Sequence, residues 1–546
     1  MGQDPNAFFQ SGASAPDIQG AAALLDQLSA EELFAMFMAE PQPSSARPDW
    51  MVTRYPVPME EYERLNAEAN EAGPPSFAAE VDGADIDADV AAEYEVETPE
   101  DSDTGDEPDA QAPPMTASFE GIPQTAWRPP DNTCAVGPND VMLAVNTDLS
   151  IYDRNGNLKV RWANMTPLFR NVLPTGATLF DPKVAYDHYA RRWIVVIAAR
   201  RNSPAGTWIM VGVSQTSNPQ GAYWVWALDA SLDGSNPSNN WADYPMLGFD
   251  TQGIYISTNQ FQMGGSFRYA KLRILNKAEL YAGGNGPNHF ISWFDYWDLR
   301  NPDNSQAFTI QPAIHFRGTG GNPPAYLVNA LWPGGDTLTL WKLTNPIGFW
   351  TGGAATLTRD DVDCRRYELP PDAEQPDSTV RIANNDARLL NAIYQYAGGV
   401  QRLWTAHTSK HTWAGENVAR SVVQWYEIDV TTQDVVQQNA YGAAGRYYYF
   451  PAIQTDLRRN AYVVFGRSNA SEYGSIRQSG RRVGDAANQL QNSALVKAGE
   501  SAYTGGRWGD YFGICRDPAN TQQVWGYVEY ADSGGNWGTW VAAMRY

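Results

Sequence analysis

From Met115 to the C-terminus, apolar residues occur in short runs punctuated by turn formers, with no sustained helical spacing. WIVVIAA from Trp193, TWIMVGVSQ from Thr207, AYWVWALD from Ala222 and TLTLWKL from Thr337 are of this kind. Each is rich in Val, Ile, Trp and Leu and bounded by Gly, Asn, Asp or Pro, the signature of β-strands joined by tight turns. The runs also repeat. DPKVAYDHYARRWIVVIAA from Asp181, DYPMLGFDTQGIYISTNQF from Asp243, FPAIQTDLRRNAYVVFGRS from Phe450 and RWGDYFGICRDPANTQQVWGYVEY from Arg507 share one outline. Weaker echoes start at Ala135, Gln311 and Arg381. Each has a strand, a turn on Asp, Gly or Asn, and a second strand of Tyr, Trp, Val and Ile.

Seven echoes at a spacing of roughly 45 to 70 residues predict a repeat architecture. The unit from Asp181 holds four strands in succession, the content of one propeller blade. The expectation is therefore an all-β, seven-bladed β-propeller over residues 115–546, with six blades the alternative if two weak echoes merge. The N-terminal strand around Thr116–Thr125 is expected to complete the last blade, because GTWVAAMRY ends the chain without a further strand. That would bring Cys134 next to Cys515 on neighbouring inner strands.

The first 114 residues have a different pattern. Ile18, Ala21, Leu24, Leu25 and Leu28 fall at helical spacing, and Ser29-x-x-Glu32 forms a capping box before Leu33, Phe34 and Phe37. Residues 1–78 thus read as a helical segment whose apolar face needs a docking surface, on the main domain, another copy or an assembly. Residues 79–114 read as an acidic, weakly ordered linker.

Charge sharpens this division. Between Asn66 and Trp127 there is no Lys or Arg, and that window holds 17 of the 62 acidic residues. The other 45 face all 39 bases, so most of the net charge of −23 belongs to the tail. The β part has no basic stripe, which argues against nucleic acid as a partner. No apolar run is long enough to span a membrane, and the N-terminus lacks the basic start and apolar core of a classical signal peptide. Three cysteines, Cys134, Cys364 and Cys515, give neither a disulfide framework nor paired metal-ligand spacing.

The set PPD–AVGP near Pro129, DP–YD–RW from Asp181 to Trp193, DYP from Asp243 and RWGDY–DP–W–EY from Arg507 to Tyr530 resembles a broad family of exported bacterial β-propeller proteins of unassigned activity. The likeness covers about residues 118–546. It implies a propeller in an extracellular, surface- or particle-associated setting, and no particular reaction. A more distant resemblance is to sialidase-type propellers, through the Asp153-Arg-Asn-Gly and Asp250-Thr-Gln-Gly turns.

In a propeller the first strand of each blade lines the central channel. Asp181, Asp243, Asp386 and Asp510 at the heads of repeats would then recur at its mouth, with Tyr244, Arg507, Trp508 and Tyr511 beside them. These eight are the candidate ligand-binding residues. A ring of hard oxygens could hold a sugar's hydroxyls or Ca²⁺; alternatively each Asp caps its own turn or pairs with an arginine. No cofactor is required by any motif, and no metal ligand set is identified. Asp153-Arg-Asn155-Gly-Asn157 reads as a type I′ hairpin turn rather than a calcium loop. His407 and His411 are four apart, but in a β stretch that spacing gives no shared face for zinc.

Of the tryptophans, Trp193, Trp208, Trp224, Trp226, Trp341, Trp404, Trp425 and Trp525 read as core. Trp241, Trp293, Trp297, Trp413 and Trp508 are candidates for stacking on carbohydrate. No Gly-x-Ser-x-Gly, HExxH, P-loop or dinucleotide fingerprint occurs. The leading functional expectation is a non-enzymatic binding or structural module that recognises glycan or protein. The alternative is a glycan-active hydrolase with paired carboxylates at the propeller mouth.

Overall fold

A computed structural model describes residues 112–263, 267–285, 289–317 and 323–546. The expectations for the helical segment, and for the linker as far as residue 111, lie outside the described residues.

The chain is an all-β propeller. Five separate four-stranded blades form, not seven or six. The first runs Thr133–Val136, Asp140–Ala144, Leu149–Asp153 and Leu158–Trp162, and the second Thr178–Asp187, Arg192–Asn202, Ala205–Ser214 and Tyr223–Asp229. Another is built from Gln311–Pro312, Ala325–Ala330, Gly335–Thr344 and Thr356–Tyr367, and a fourth from Tyr447–Thr455, Ala461–Asn469, Glu472–Arg481 and Ala494–Lys497.

The strands of the two remaining repeats merge into one nine-stranded sheet. Asn240–Phe249 heads one antiparallel ladder and Asn391–Ala397 the other. The short strand Ile314–Arg317 lies between them, parallel to both, through Phe249↔Ile314 and Ile314↔Ile393. This bridging strand is why counting repeats overestimates the number of separate sheets.

The fifth blade closes the ring. Met115–Glu120 pairs antiparallel with Trp537–Arg545, with Ala117 opposite Ala543 and Phe119 opposite Val541. Gln523–Ala531 and Gly513–Arg516 complete it. The expected mixing of both chain ends is therefore present. Phe119 packs on Tyr152 and Trp525, so the N-terminal strand also ties the last blade to the first.

The inner strands start in a repeated way. Register shifts occur at Phe180/Lys183, Asp243/Met246 and Tyr449/Ala452. Each bulge carries a left-handed residue directly before proline: Asp181 (φ 54°), Tyr244 (φ 53°) and Phe450 (φ 49°). Proline has no N–H for the ladder and disfavours the right-handed helical region for the residue before it, so X-Pro suits a bulge. Asp131 (φ 53°), Thr309 (φ 49°) and Asn385 (φ 54°) hold the matching places in other repeats. These corners turn the chain at the mouth of the channel.

The tryptophans fill the sheet-to-sheet core. Trp193, Trp226, Trp404, Trp425 and Trp525 are fully buried, as expected. Of the five expected in stacking loops, Trp241, Trp293, Trp413 and Trp508 are also buried, and only Trp297 is exposed. The Asp153 turn is a hairpin turn, but not type I′. Gly156 alone of its residues has positive φ (85°), whereas I′ needs two such residues. The Asp153 carboxylate caps the turn by accepting from the Asn155 and Asn157 N–H groups. His407 is locked between the Ala387 carbonyl and the Tyr426 hydroxyl, while His411 packs on Trp413. The two do not converge.

Candidate functional site

The bulged corners surround a cavity of about 600 Å³ at one end of the channel. Asp131, Asp181, Asp243, Asp386, Arg388, Arg507 and Asp510 reach it, and Trp127, Phe180, Phe261, Phe267, Phe308 and Trp332 form apolar walls.

Its centre is three carboxylates. Asp131, Asp181 and Asp510 each bring one oxygen to within 4.8 Å of the others. Asp131 accepts from the Asp510 N–H at 2.9 Å and from the Asn146 side-chain amide. The other end of that amide accepts from the Asp181 N–H at 2.7 Å, so Asn146 clamps two of the acids together. Asp181 also accepts from the Tyr244 N–H through Oδ2 (3.3 Å), which leaves Oδ1 without a hydrogen-bond partner among the described residues.

Asp510 is held from two sides. Arg507 donates Nη2 to both of its oxygens, at 3.0 and 3.2 Å, and Asn385 donates to Oδ1 at 2.8 Å. Asp386 is bound by Arg388 in a fork, which matches the expectation that some of these aspartates pair with arginine rather than with a ligand.

The crowding of acids has a direct consequence for their protons. Burial, followed by the negative charge of Asp243, Asp131 and Asp510, holds Asp181 well above the usual carboxylate range. Burial and Asp510 likewise push Asp131 up, and burial and Asp510 push Asp243 up to about 6. Like charges this close cannot all ionise. Lys183, buried under the same cluster, is pushed down by desolvation. Behind the site, Glu529 is fully buried with neither oxygen hydrogen-bonded, and burial holds it well above its ordinary value.

Of the eight sequence candidates, Asp181, Asp243, Tyr244, Asp386, Arg507 and Asp510 meet at this cavity. Trp508 does not. It is fully buried behind Arg507, packed against Tyr449 and Tyr503. Tyr511 also misses the cavity wall. It lies beneath, edge-on to Tyr244, with its hydroxyl on the Pro182 carbonyl and the Lys183 ammonium over its ring.

Sequence reasoning missed Asp131, Asn146, Asn385 and Arg388. Asp131 follows Pro129-Pro130 directly before an inner strand, and that position was the available signal. A cation for the acid ring is supplied by the protein itself, through Arg507. Three arginines, Arg128, Arg388 and Arg507, line the cavity, and two of them are paired, Arg507 with Asp510 and Arg388 with Asp386.

No family model matches the sequence, and no curated protein matches it either. Solved structures do. One is an α-L-arabinanase of Penicillium chrysogenum complexed with arabinobiose, at 8% identity over 79% of this chain and 99% of that one, with a TM-score of 0.34. A second is a mutant of Trypanosoma rangeli sialidase displaying trans-sialidase activity, at 9% identity over 80% of this chain and 60% of that one, TM-score 0.32. A third is the WD40 domain of SCAP from fission yeast, at 10% identity over 77% of this chain and 82% of that one, TM-score 0.32. Similarity at this level says nothing about chemistry in this chain. No helix of the described residues is long and apolar enough to cross a membrane.

Proposed function

We propose that the channel mouth binds carbohydrate and hydrolyses a glycosidic bond, with Asp181 as general acid and Asp510 as the opposing carboxylate. One observation carries this reading. Asp181, whose proton affinity is raised by burial and by its acidic neighbours, brings an oxygen within 4.8 Å of one on Asp510, whose carboxyl group is fixed by Arg507 and Asn385. Two carboxyl groups in unlike environments are the requirement for splitting such a bond.

With an oxygen of each within 4.8 Å of the other, the pair is closer than the wide gap that admits a water in inverting enzymes. In this scheme Asp181 Oδ1 protonates the leaving oxygen while Asp510 attacks the sugar carbon, and water deprotonated by Asp181 then cleaves the glycosyl–Asp510 bond and restores both groups. Asp131 raises the proton affinity of Asp181, and the aromatic walls suit the apolar faces of a sugar ring.

A panel of chromogenic aryl glycosides and defined oligosaccharides tests this, run beside a glycan array. Turnover that falls at least about 100-fold in Asp181→Asn, with glycan binding kept, is the expected result. Binding without turnover across the panel favours the second reading, a non-catalytic glycan-recognition module, for which the same aromatic walls and clamped carboxylates would serve. Neither binding nor turnover overturns both.

A further inference from the structure

Further along the inner strands lies a second chamber that shares no lining residue with the acidic mouth. Its volume is about 290 Å³. Tyr244, Met246 and Tyr511 pack together between the two spaces. Leu247, Phe249, Ile314, Phe316, Ile393 and Leu457 give it a mainly apolar wall.

Three charged side chains also line it: Lys183, whose ammonium lies over the Tyr511 ring, Asp517, paired with Arg154, and Arg516. Arg516 lines the chamber at 8% exposure, and no carboxylate lies within ion-pair distance of it among the described residues. Its Nε donates to the Thr455 carbonyl, and its Nη2 to Thr455 Oγ1 and the Asp456 carbonyl. Its Nη1 takes no part in these bonds. Its guanidinium rests 4.0 Å from the centre of the Phe316 ring, which also stacks on His188.

The nearby acids are engaged elsewhere. Asp517 holds Arg154 and the Trp525 indole N–H, and the Asp456 carboxylate accepts from Asn460 and Tyr462. A buried cation with neutral partners is costly unless a negative charge completes it.

We propose that this chamber binds a small carboxylic acid with an apolar body, its carboxylate on Arg516 and its chain along the Phe249–Phe316–Ile393 wall. The chamber is at the small end of ligand pockets, which fits a medium-chain or simple aromatic acid and not an oligosaccharide. The planar guanidinium matches a carboxylate better than it matches any neutral group. This assignment does not depend on the chemistry of the acidic mouth.

Octanoate and octan-1-ol, titrated calorimetrically into the full chain at neutral pH, test it. Octanoate is expected to bind the wild type at one site, at least about tenfold more tightly than octanol. Arg516→Met should remove that preference and leave octanol binding unchanged. Arg516 also braces Thr455 and Asp456, so a second variant guards against misfolding. Ile514→Trp fills the chamber from a partly exposed position and should abolish binding of both ligands. The proposal is overturned if octanoate does not bind the wild type or binds no better than octanol. Binding that persists unchanged in Ile514→Trp, or undiminished in a folded Arg516→Met, overturns it equally.

Discussion

The backbone N–H of Asp510 donates to the Asp131 carboxylate at 2.9 Å, joining the last blade to the first across 379 positions of sequence. The same carboxylate takes the Asn146 amide, so one acidic side chain satisfies two buried donors and builds the site. Substitutions at Asp131 should therefore separate according to what they leave unmade. Asp131→Ala strands both donors and places a β-carbon-only residue at φ 53°, a region Asn tolerates better than Ala. A loss of about 2–4 kcal/mol is expected from the unmet donors. Asp131→Asn keeps one of the two acceptor oxygens and removes a buried acid, but sets its NH2 against the other donor, so it should cost about 1–2 kcal/mol at pH 8, less than the alanine variant. Urea unfolding of the two variants checks this, and equal losses would refute the reading.

The acid cluster also sets the pH dependence of stability. Asp131 is pushed up to about 8 and Asp243 and Asp148 to about 6, with burial the largest cause in each. Asp181 and Glu529 are raised as well, again mainly by burial. A carboxyl whose pKa is higher folded than unfolded binds more protons in the folded state, so stability grows as pH falls through its folded value. Lys183, lowered by burial, works in the opposite direction. The raised acids outnumber it, so the melting temperature should rise on going from pH 9 to pH 6.5. Below about 6.5 the gain should flatten, because His188 and His407, lowered to about 3 and about 4 by burial, must stay neutral in the fold while the unfolded chain protonates. Calorimetry across this range, with Asp131→Asn showing a shallower rise, is the measurement. A melting temperature that falls from pH 9 to 6.5 would contradict it.

Much of this was legible in the chain. Asp181-Pro182, Tyr244-Pro245 and Phe450-Pro451 are visible as repeated X-Pro steps, and each marks the bulge that starts an inner strand. Of the six candidates that reach the cavity, Asp181, Asp243 and Tyr244 sit at such steps, whereas Asp386, Arg507 and Asp510 follow from the repeat outline alone. Asp131 and Asn385 were hidden because their corners lack the proline, although their backbone conformation is the same. Trp508 was misplaced because adjacency in sequence to Arg507 says nothing of which face a side chain takes. The merging of two repeats was not readable at all. It depends on Ile314–Arg317, a short strand whose parallel pairing with Asn391–Ala397 leaves no alternation to detect.

Cys134 and Cys515 stand with their sulfurs 3.7 Å apart on neighbouring inner strands, as free thiols. Burial and the Cys134 thiol push Cys515 well above the ordinary thiol range. The thiolate is the reactive form, so Cys515 should resist alkylation in the folded protein. Iodoacetamide at pH 8 followed by mass spectrometry should label Cys515 slowly in the native state and fast in denaturant. Equal rates in the two states would show that the inner strands open readily.

Ring closure gives the last expectation. Met115–Glu120 is the outer strand of the closing blade, and its contribution is more than edge pairing. Phe119 reaches both Tyr152 of the first blade and Trp525 of the last, and the Ser118 hydroxyl accepts from the Trp540 indole. Just beyond, the Ile122 carbonyl accepts from the Thr539 hydroxyl, and Ile122 itself is fully buried. Removing this strand unpairs Trp537–Arg545 and exposes Val541 and Tyr527 from the core beneath. A truncation that starts at residue 112 keeps all of these contacts, whereas one that starts at residue 124 keeps none. The shorter protein should melt well below the longer one, and Phe119→Ala in the longer one should fall between them. Deleting a half-buried aromatic that bridges two sheets costs about 2–3 kcal/mol, below the range for a fully buried one. Thermal unfolding of the three proteins side by side decides the matter: coincident melting curves would mean that closure is carried elsewhere in the ring.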